Sequence, residues 1–281
     1  KGLVPLTVTR VESLRDGVAE AADSFAVTRW REDATCKPWG SFLVLADAAG
    51  GEAWSVAAQP FPDAADTIDA RWSPGTASLA RRHGDIAMRL DVAVHADCDA
   101  ELRRLVLENH GEQARELVLT SYAEPVLGPG GGDAAHPAFS KLFVQTQWLA
   151  DSATLLATRR KRAASDAQPW CAHFFGADAG SEPGATQFES DRLRFLGRGR
   201  SLRRALALQP GAALSGTSGC VLDPVLSLRR RIVLAPGARN YWKSHNFNQL
   251  SDAAIDVVID YAGKLPSPHS EIFMGLIGGK A

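Results

Sequence analysis

The alternation of Ile86, Met88, Leu90, Val92 and Val94 with Arg89, Asp91 and His95 constrains the fold more than any other feature of the chain. Successive side chains of a strand point to opposite faces, so a period of two predicts a half-buried antiparallel strand with its apolar face on a core. Comparable stretches run over Leu102–Glu108, Glu116–Tyr122, Lys141–Trp148, Thr154–Thr158, Pro169–Phe174 and Arg192–Leu196. Turn material such as Asn109-His110-Gly111 and Gly128-Pro129-Gly130-Gly131-Gly132 separates them. Phe42–Ala46 and Ala53–Ala57 flank Asp47-Ala48-Ala49-Gly50-Gly51, whose glycines suit a hairpin loop. Many short strands at this spacing predict stacked sheets, hence a mainly β fold built as a large antiparallel β-sandwich. At 281 residues with 45% apolar content, the chain has the material for a proper core.

The texture changes after Leu234-Ala235-Pro236-Gly237. Ser251 is placed to cap a helix running to about Gly263, with Leu250 and Ile255 as a hydrophobic staple and Ile255, Val258, Ile259 and Ala262 on one face. Pro266 and Pro268 stop that helix, and Glu271–Ile277 reads as a strand, so the end of the chain is a short α/β tail. Before about Phe25, Leu14 and Val18 at helical spacing fit a short helix or a displaced strand. The expected organisation is an N-terminal segment over 1–25, a sandwich over 26–238 and a helix–strand tail over 239–281.

A net charge of -1 argues against nucleic acid as a partner, despite the local clusters Arg159-Arg160-Lys161-Arg162 and Arg229-Arg230-Arg231. No apolar run approaches the ~20 residues that span a bilayer, and with no leader legible at the start a soluble, cytoplasmic chain is expected. Cys36, Cys98, Cys171 and Cys220 form no Cys-x-x-Cys pair, so reduced, mostly buried thiols are expected.

Several segments carry a family resemblance. They begin with Val27-Thr28-Arg29-Trp30-Arg31-Glu32-Asp33-Ala34-Thr35, Trp39-Gly40-Ser41-Phe42 and Gly51-Glu52-Ala53-Trp54-Ser55. Leu119-Thr120-Ser121-Tyr122-Ala123-Glu124 and His136-Pro137-Ala138-Phe139-Ser140-Lys141-Leu142-Phe143 follow in order. Arg194-Phe195-Leu196-Gly197-Arg198-Gly199-Arg200 and Leu214-Ser215-Gly216-Thr217 come next, then Val221-Leu222-Asp223-Pro224 through Ser227-Leu228-Arg229-Arg230-Arg231. Together they resemble the supersandwich domain of the cyclic β-1,2-glucan synthase and glycoside hydrolase family 94 phosphorylase group, formerly glycosyltransferase family 36, over roughly 26–238. The resemblance implies a sandwich that, in the family, precedes an (α/α)₆ barrel carrying the general acid and phosphate site, and whose full-length synthases are membrane proteins. That barrel does not occur in this sequence, so no catalytic residue carries over and the sandwich is expected to be incomplete at both ends. Asn240-Tyr241-Trp242-Lys243-Ser244-His245-Asn246-Phe247 and the 251–271 stretch resemble part of a berberine-bridge-type flavin oxidase, without a flavin-attachment motif, so no flavin is implied. Exposed sheet edges would favour a homodimer.

Four kinds of candidate site are legible. Cys171 and His173, two apart on one strand, share a face and could ligate a divalent metal such as zinc with His136 as a third ligand; a buried thiol beside a hydrogen-bonded imidazole is the competing reading. Trp39 and Trp54, with Trp30 and Trp72, could stack on a glucan or pack in the core. Glu124 with Glu189 or Asp191 could form a glycosidase pair. Gly197-Arg198-Gly199-Arg200 could nest a phosphate or form a turn, and Ser215-Gly216-Thr217-Ser218-Gly219 is not a P-loop. These features imply an accessory sandwich of a carbohydrate enzyme with a structural or glucan-binding role. The alternative is a metal-dependent hydrolase acting on a small ester or phosphoester.

Overall fold

The computed structural model describes residues 9–10, 25–29, 39–50, 53–61, 68–73, 76–94, 101–164, 168–175, 186–237 and 239–243. The segment around Leu14 and Val18, the Ser251–Gly263 helix and the Glu271–Ile277 strand lie outside them. In chain order the early strands are β1 (Thr9–Arg10), β2 (Phe25–Thr28), β3 (Phe42–Asp47), β4 (Ala53–Ser55), β5 (Ile68–Ser73), β6 (Thr76–His83), β7 (Ile86–Val94), β8 (Glu101–Asn109), β9 (Arg115–Tyr122) and β10 (Pro125–Pro129). Two short helices follow, α1 (Gly130–Ala135) and α2 (Pro137–Lys141). Then come β11 (Val144–Leu149), β12 (Thr154–Arg159), β13 (Trp170–Phe174), β14 (Gln187–Asp191), α3 (Arg192–Leu196), β15 (Gly219–Cys220), β16 (Pro224–Leu234) and β17 (Arg239–Lys243).

The described strands form four antiparallel sheets, in keeping with the period-two reading. The central one is ordered β14-β16-β9-β3-β4 and faces a second five-stranded sheet, β17-β8-β7-β6-β5. A four-stranded sheet, β13-β12-β11-β15, and a small one, β1-β2-β10, complete the sandwich. Leu79, Leu90 and Leu105 stand in register across β6, β7 and β8. They pack with Ile86, Met88 and Leu107 against Leu45, Leu117, Leu119, Ile232 and Leu234 of the central sheet. The opposite face of the central sheet meets α3 and the turns after it through Phe42, Val44, Tyr122, Phe195 and Leu208. Leu226 and Leu228 of β16 join Val144, Leu155, Ala157 and Cys171 of the four-stranded sheet in a third cluster.

Three expectations change. Arg192–Leu196 is a helix, not a strand, because the Asp191 carboxylate accepts the N–H groups of Leu193 at 2.8 Å and Arg194 at 3.4 Å and so caps a helical turn. Gly197 ends it at φ +83°, where a Cβ would stand 2.6 Å from the Leu206 side chain. The glycine run after Gly128 is partly strand and partly helix α1, and Lys141 closes α2, with Pro137 in its first turn, so β11 begins only at Val144. Within the segment expected to be tail, β17 pairs with β8 from Arg239↔Glu108 to Lys243↔Arg104 and adds a fifth strand to that sheet.

Leu107 is fully buried at the middle of the inter-sheet core. Leu107→Ala should cost about 2–5 kcal/mol of unfolding free energy, read as a lowered urea midpoint, because the surrounding strands cannot collapse onto the vacated volume.

Candidate functional site

The densest polar chemistry gathers where the chain leaves β9 for β10. Ala123 exchanges backbone hydrogen bonds with Leu226, and the Glu124 carbonyl accepts from the Arg29 N–H at 2.8 Å. The Glu124 carboxylate, 1% exposed, receives Arg29 Nη1 at 2.8 Å, Arg192 Nε at 2.8 Å and the Tyr122 hydroxyl at 2.7 Å. Arg29 also forks onto Asp133 of α1, with Nε at 2.8 Å and Nη2 at 2.6 Å. Arg192 continues to Asp223 at 3.0 Å, and Lys141 reaches the other Asp223 oxygen at 2.5 Å. Three carboxylates thus meet three cations, and the cluster is neutral as a whole.

Burial alone would lower both guanidinium pKa values, but the carboxylates outweigh it and raise Arg29 and Arg192 above their ordinary range. Burial, reinforced by the Glu124 charge, pushes the Tyr122 phenol well above its ordinary value. Neither guanidinium nor phenol can therefore release a proton at neutral pH. The arrangement holds elements together rather than moving protons.

The expected metal ligands are not brought together. Cys171 and His173 do share a face of β13, opposite Ala157 and Leu155 of β12, as their spacing requires. Cys171 is a thiol packed in the core cluster with Leu155, Leu226 and Leu228. His173 Nε2 lies 2.7 Å from Ser121 Oγ. His136 is exposed between α1 and α2, where its carbonyl accepts from the Ser140 N–H. Among the described residues no three His, Cys, Asp or Glu side chains are grouped to hold a metal ion.

Ser121 and His173 have the spacing of a nucleophile and its base, a pair that sequence reading missed because the two lie 52 positions apart. Ser121 is only 2% exposed, its oxygen also accepts the Leu228 N–H at 2.9 Å, and it lies inside the sandwich. Burial and then the Arg103 charge depress the His173 imidazole to about 3, so the ring is neutral. The pair is an inter-sheet hydrogen bond.

The aromatic candidates separate. Trp54 is 2% exposed, stacked on His83 with ring centroids 4.4 Å apart, and its indole N–H meets Met88 Sδ at 3.1 Å, so it belongs to the core and cannot face a sugar. Trp39 is half-buried with the Arg29 guanidinium 5.1 Å from its ring centre. Trp72, on edge strand β5, is 55% exposed. Trp30 lies outside the described residues.

The carboxylate candidates are committed as well. Glu189 accepts the N–H groups of Ser190 and Asp191 on one oxygen and Ser215 on the other. Asp191 caps α3. Gly197 and Gly199 of the Gly-Arg-Gly-Arg run adopt positive φ in the turn after α3. Glu124 is legible in sequence as a candidate carboxylate, and Arg29 could have been found there because it lies in a segment that carries the resemblance.

A family model described as the supersandwich domain of glycosyl hydrolase 94 matches residues 17–254. The cyclic beta-(1,2)-glucan synthase NdvB of Rhizobium meliloti (strain 1021) is 39% identical over 214 residues, covering 76% of this chain and 8% of that protein. The match takes in every strand from β2 to β17. No helix among the described residues is long and apolar enough to cross a membrane.

Two outcomes follow from the buried groups. Glu124→Gln leaves Arg29 and Arg192 without their shared charge and should cost about 3–5 kcal/mol in urea unfolding. For His173, a folded pKa of about 3 lies below the ordinary 6.5, so the unfolded chain binds the extra proton between those values. Stability is therefore full above pH 6.5 and falls as pH drops, by about 2 kcal/mol between pH 7 and 5 from this group alone. His173→Gln should flatten that part of the stability–pH curve, measured as urea midpoints at both pH values.

Proposed function

Because the chain belongs to the glycosyl hydrolase 94 supersandwich family, we propose that it works as a non-catalytic accessory β-sandwich of a carbohydrate enzyme, its role structural and its surface turned to glucan. The observation that carries this reading is the state of the carboxylates. Glycoside cleavage needs one protonated and one ionised carboxyl group flanking the scissile bond. Here Glu124 is buried against two arginines, Glu189 against backbone and hydroxyl donors, and Asp191 is spent as a helix cap. The alternative of a metal-dependent ester or phosphoester hydrolase has no group of three ligand side chains among the described residues to support it. The purified chain, incubated with β-1,2-glucan with and without inorganic phosphate, should release neither reducing ends nor sugar phosphate. Turnover that disappears in a folded Glu124→Gln variant would overturn the reading.

The glucan-facing part rests on Trp72, whose exposed ring on edge strand β5 offers a flat apolar surface of the kind on which sugar rings stack. β-1,2-linked glucan is the ligand class to test, because the relative is a synthase of that polymer by name. In calorimetric titration Trp72→Ala should abolish weak glucan binding while leaving thermal stability within about 0.5 kcal/mol of the parent. Trp54→Ala should instead cost about 3–5 kcal/mol through core loss. Equal binding by the parent and Trp72→Ala would leave the structural role alone.

A further inference from the structure

Outside the Glu124 cluster, the central sheet carries a second polar concentration on the face that meets the segment after α3. Val44, Thr120, Arg229 and Gln187 stand in one row across β3, β9, β16 and β14, with Ala46, Val118 and Arg231 in the next. The chain from Ala207 to Ala212 arches over these rows, turning at Gly211 with φ +71° and closed by the Ala212 N–H on the Gln209 carbonyl at 3.1 Å. Between sheet and arch lies a cleft of about 250 Å³.

Arg229 lines this cleft and is only 5% exposed. Its Nε donates to Thr120 Oγ1 at 2.9 Å, Nη1 to the Ala212 carbonyl at 2.8 Å, and Nη2 to the Ala207 carbonyl. All three acceptors are neutral. Of the other charged residues of the walls, Asp47 holds Arg115 and the Ala49 and Gly50 N–H groups, Arg231 holds Glu116 at 2.6 Å, and Arg230 donates its Nε to Thr186 Oγ1 at 2.7 Å. Burial, then the charge of Arg231 on the same face, lowers the Arg229 pKa to about 10. Tying the arch to the sheet would need only a neutral donor. A permanently charged guanidinium in a dry position is costly without an anion, and its planar fork matches the two oxygens of a carboxylate or phosphate.

We propose that this cleft is a binding site for a small molecule bearing one oxyanion, a phosphate monoester or a carboxylate, on a body no larger than a monosaccharide. Arg229 takes the anion. Arg231 adds a favourable field at the rim. The Gln187 amide, whose oxygen accepts the Leu214 N–H at 3.1 Å, keeps its NH₂ for a hydroxyl of the ligand. The volume sets the size limit, since clefts for drug-sized ligands run about 300–1,000 Å³.

The test is calorimetric titration of the whole 281-residue chain with inorganic phosphate, glucose 6-phosphate, glucuronate and glucose. At least one of the three anions should bind saturably and more weakly as salt rises, and glucose should not bind comparably. Saturation by phosphate and glucose 6-phosphate alone identifies a phosphate monoester, and by glucuronate alone a carboxylate. Arg231→Gln, an exposed change, should weaken binding about 2- to 5-fold with an unchanged urea midpoint. Arg229→Lys, if folded by the same measure, should weaken it about 10-fold or more. Absence of saturable heat from all three anions, glucose binding as tightly as they do, or anion affinity indifferent to Arg231→Gln would overturn the assignment.

Discussion

The buried Glu124 carboxylate is the point on which the rest of the molecule hangs. Removing an ionised carboxylate from water costs several kcal/mol, and the cost is offset only where charged and hydrogen-bonding partners arrive with good geometry. Here those partners come from three parts of the chain: Arg29 after β2, Tyr122 at the end of β9 and Arg192 at the start of α3. Arg29 in turn fixes α1 through Asp133, and Arg192 fixes the approach to β16 and the end of α2 through Asp223 and Lys141. An apolar contact tolerates sliding; this arrangement does not, because displacing any one member leaves a buried charge unmatched. It therefore sets where the central sheet, the small sheet and the helical segments meet.

β16 is the second organising element. Its eleven residues present one face to two cores in succession, Leu226 and Leu228 toward the four-stranded sheet, Ile232 and Leu234 toward the second five-stranded sheet. Its other face places Val225 against the α3 layer and Arg229 beneath the 207–212 arch. A strand covered on both sides has no need to alternate, and β16 is buried from Pro224 to Arg230 before alternation returns at Arg231. That is why a period-two reading passes over the strand that joins the cores.

Residues that advertised chemistry were recruited by packing. The spacing that puts Cys171 and His173 on one face also turns that face inward, so the thiol meets leucines and the imidazole meets the Ser121 hydroxyl. Trp54 serves as apolar area with one polar handle, satisfied by Met88 sulfur. Trp72, chemically identical, is left in the open on β5, the last strand of its sheet among the described residues. Membership of the glycosyl hydrolase 94 supersandwich family accords with a β-sandwich body of this kind.

Local sequence determined the mainly β class and the position of β7, β8, β9, β12 and β13, because alternation is a property of neighbouring residues and survives without the rest of the fold. It also carried the hairpin of β3 and β4 and, through the segments holding Arg29 and Glu124, the family. It misread Arg192–Leu196, where a single capping carboxylate at Asp191 outweighed an apparent strand pattern. The tertiary structure decided what depends on distant partners: which sheet faces which, that Glu124 is a structural anion, and that Ser121 meets His173. It also decided that Arg229 lies in a cleft where it donates only to neutral acceptors. Each of these is a balance of desolvation against long-range contact, and that balance is written in no short stretch of the chain.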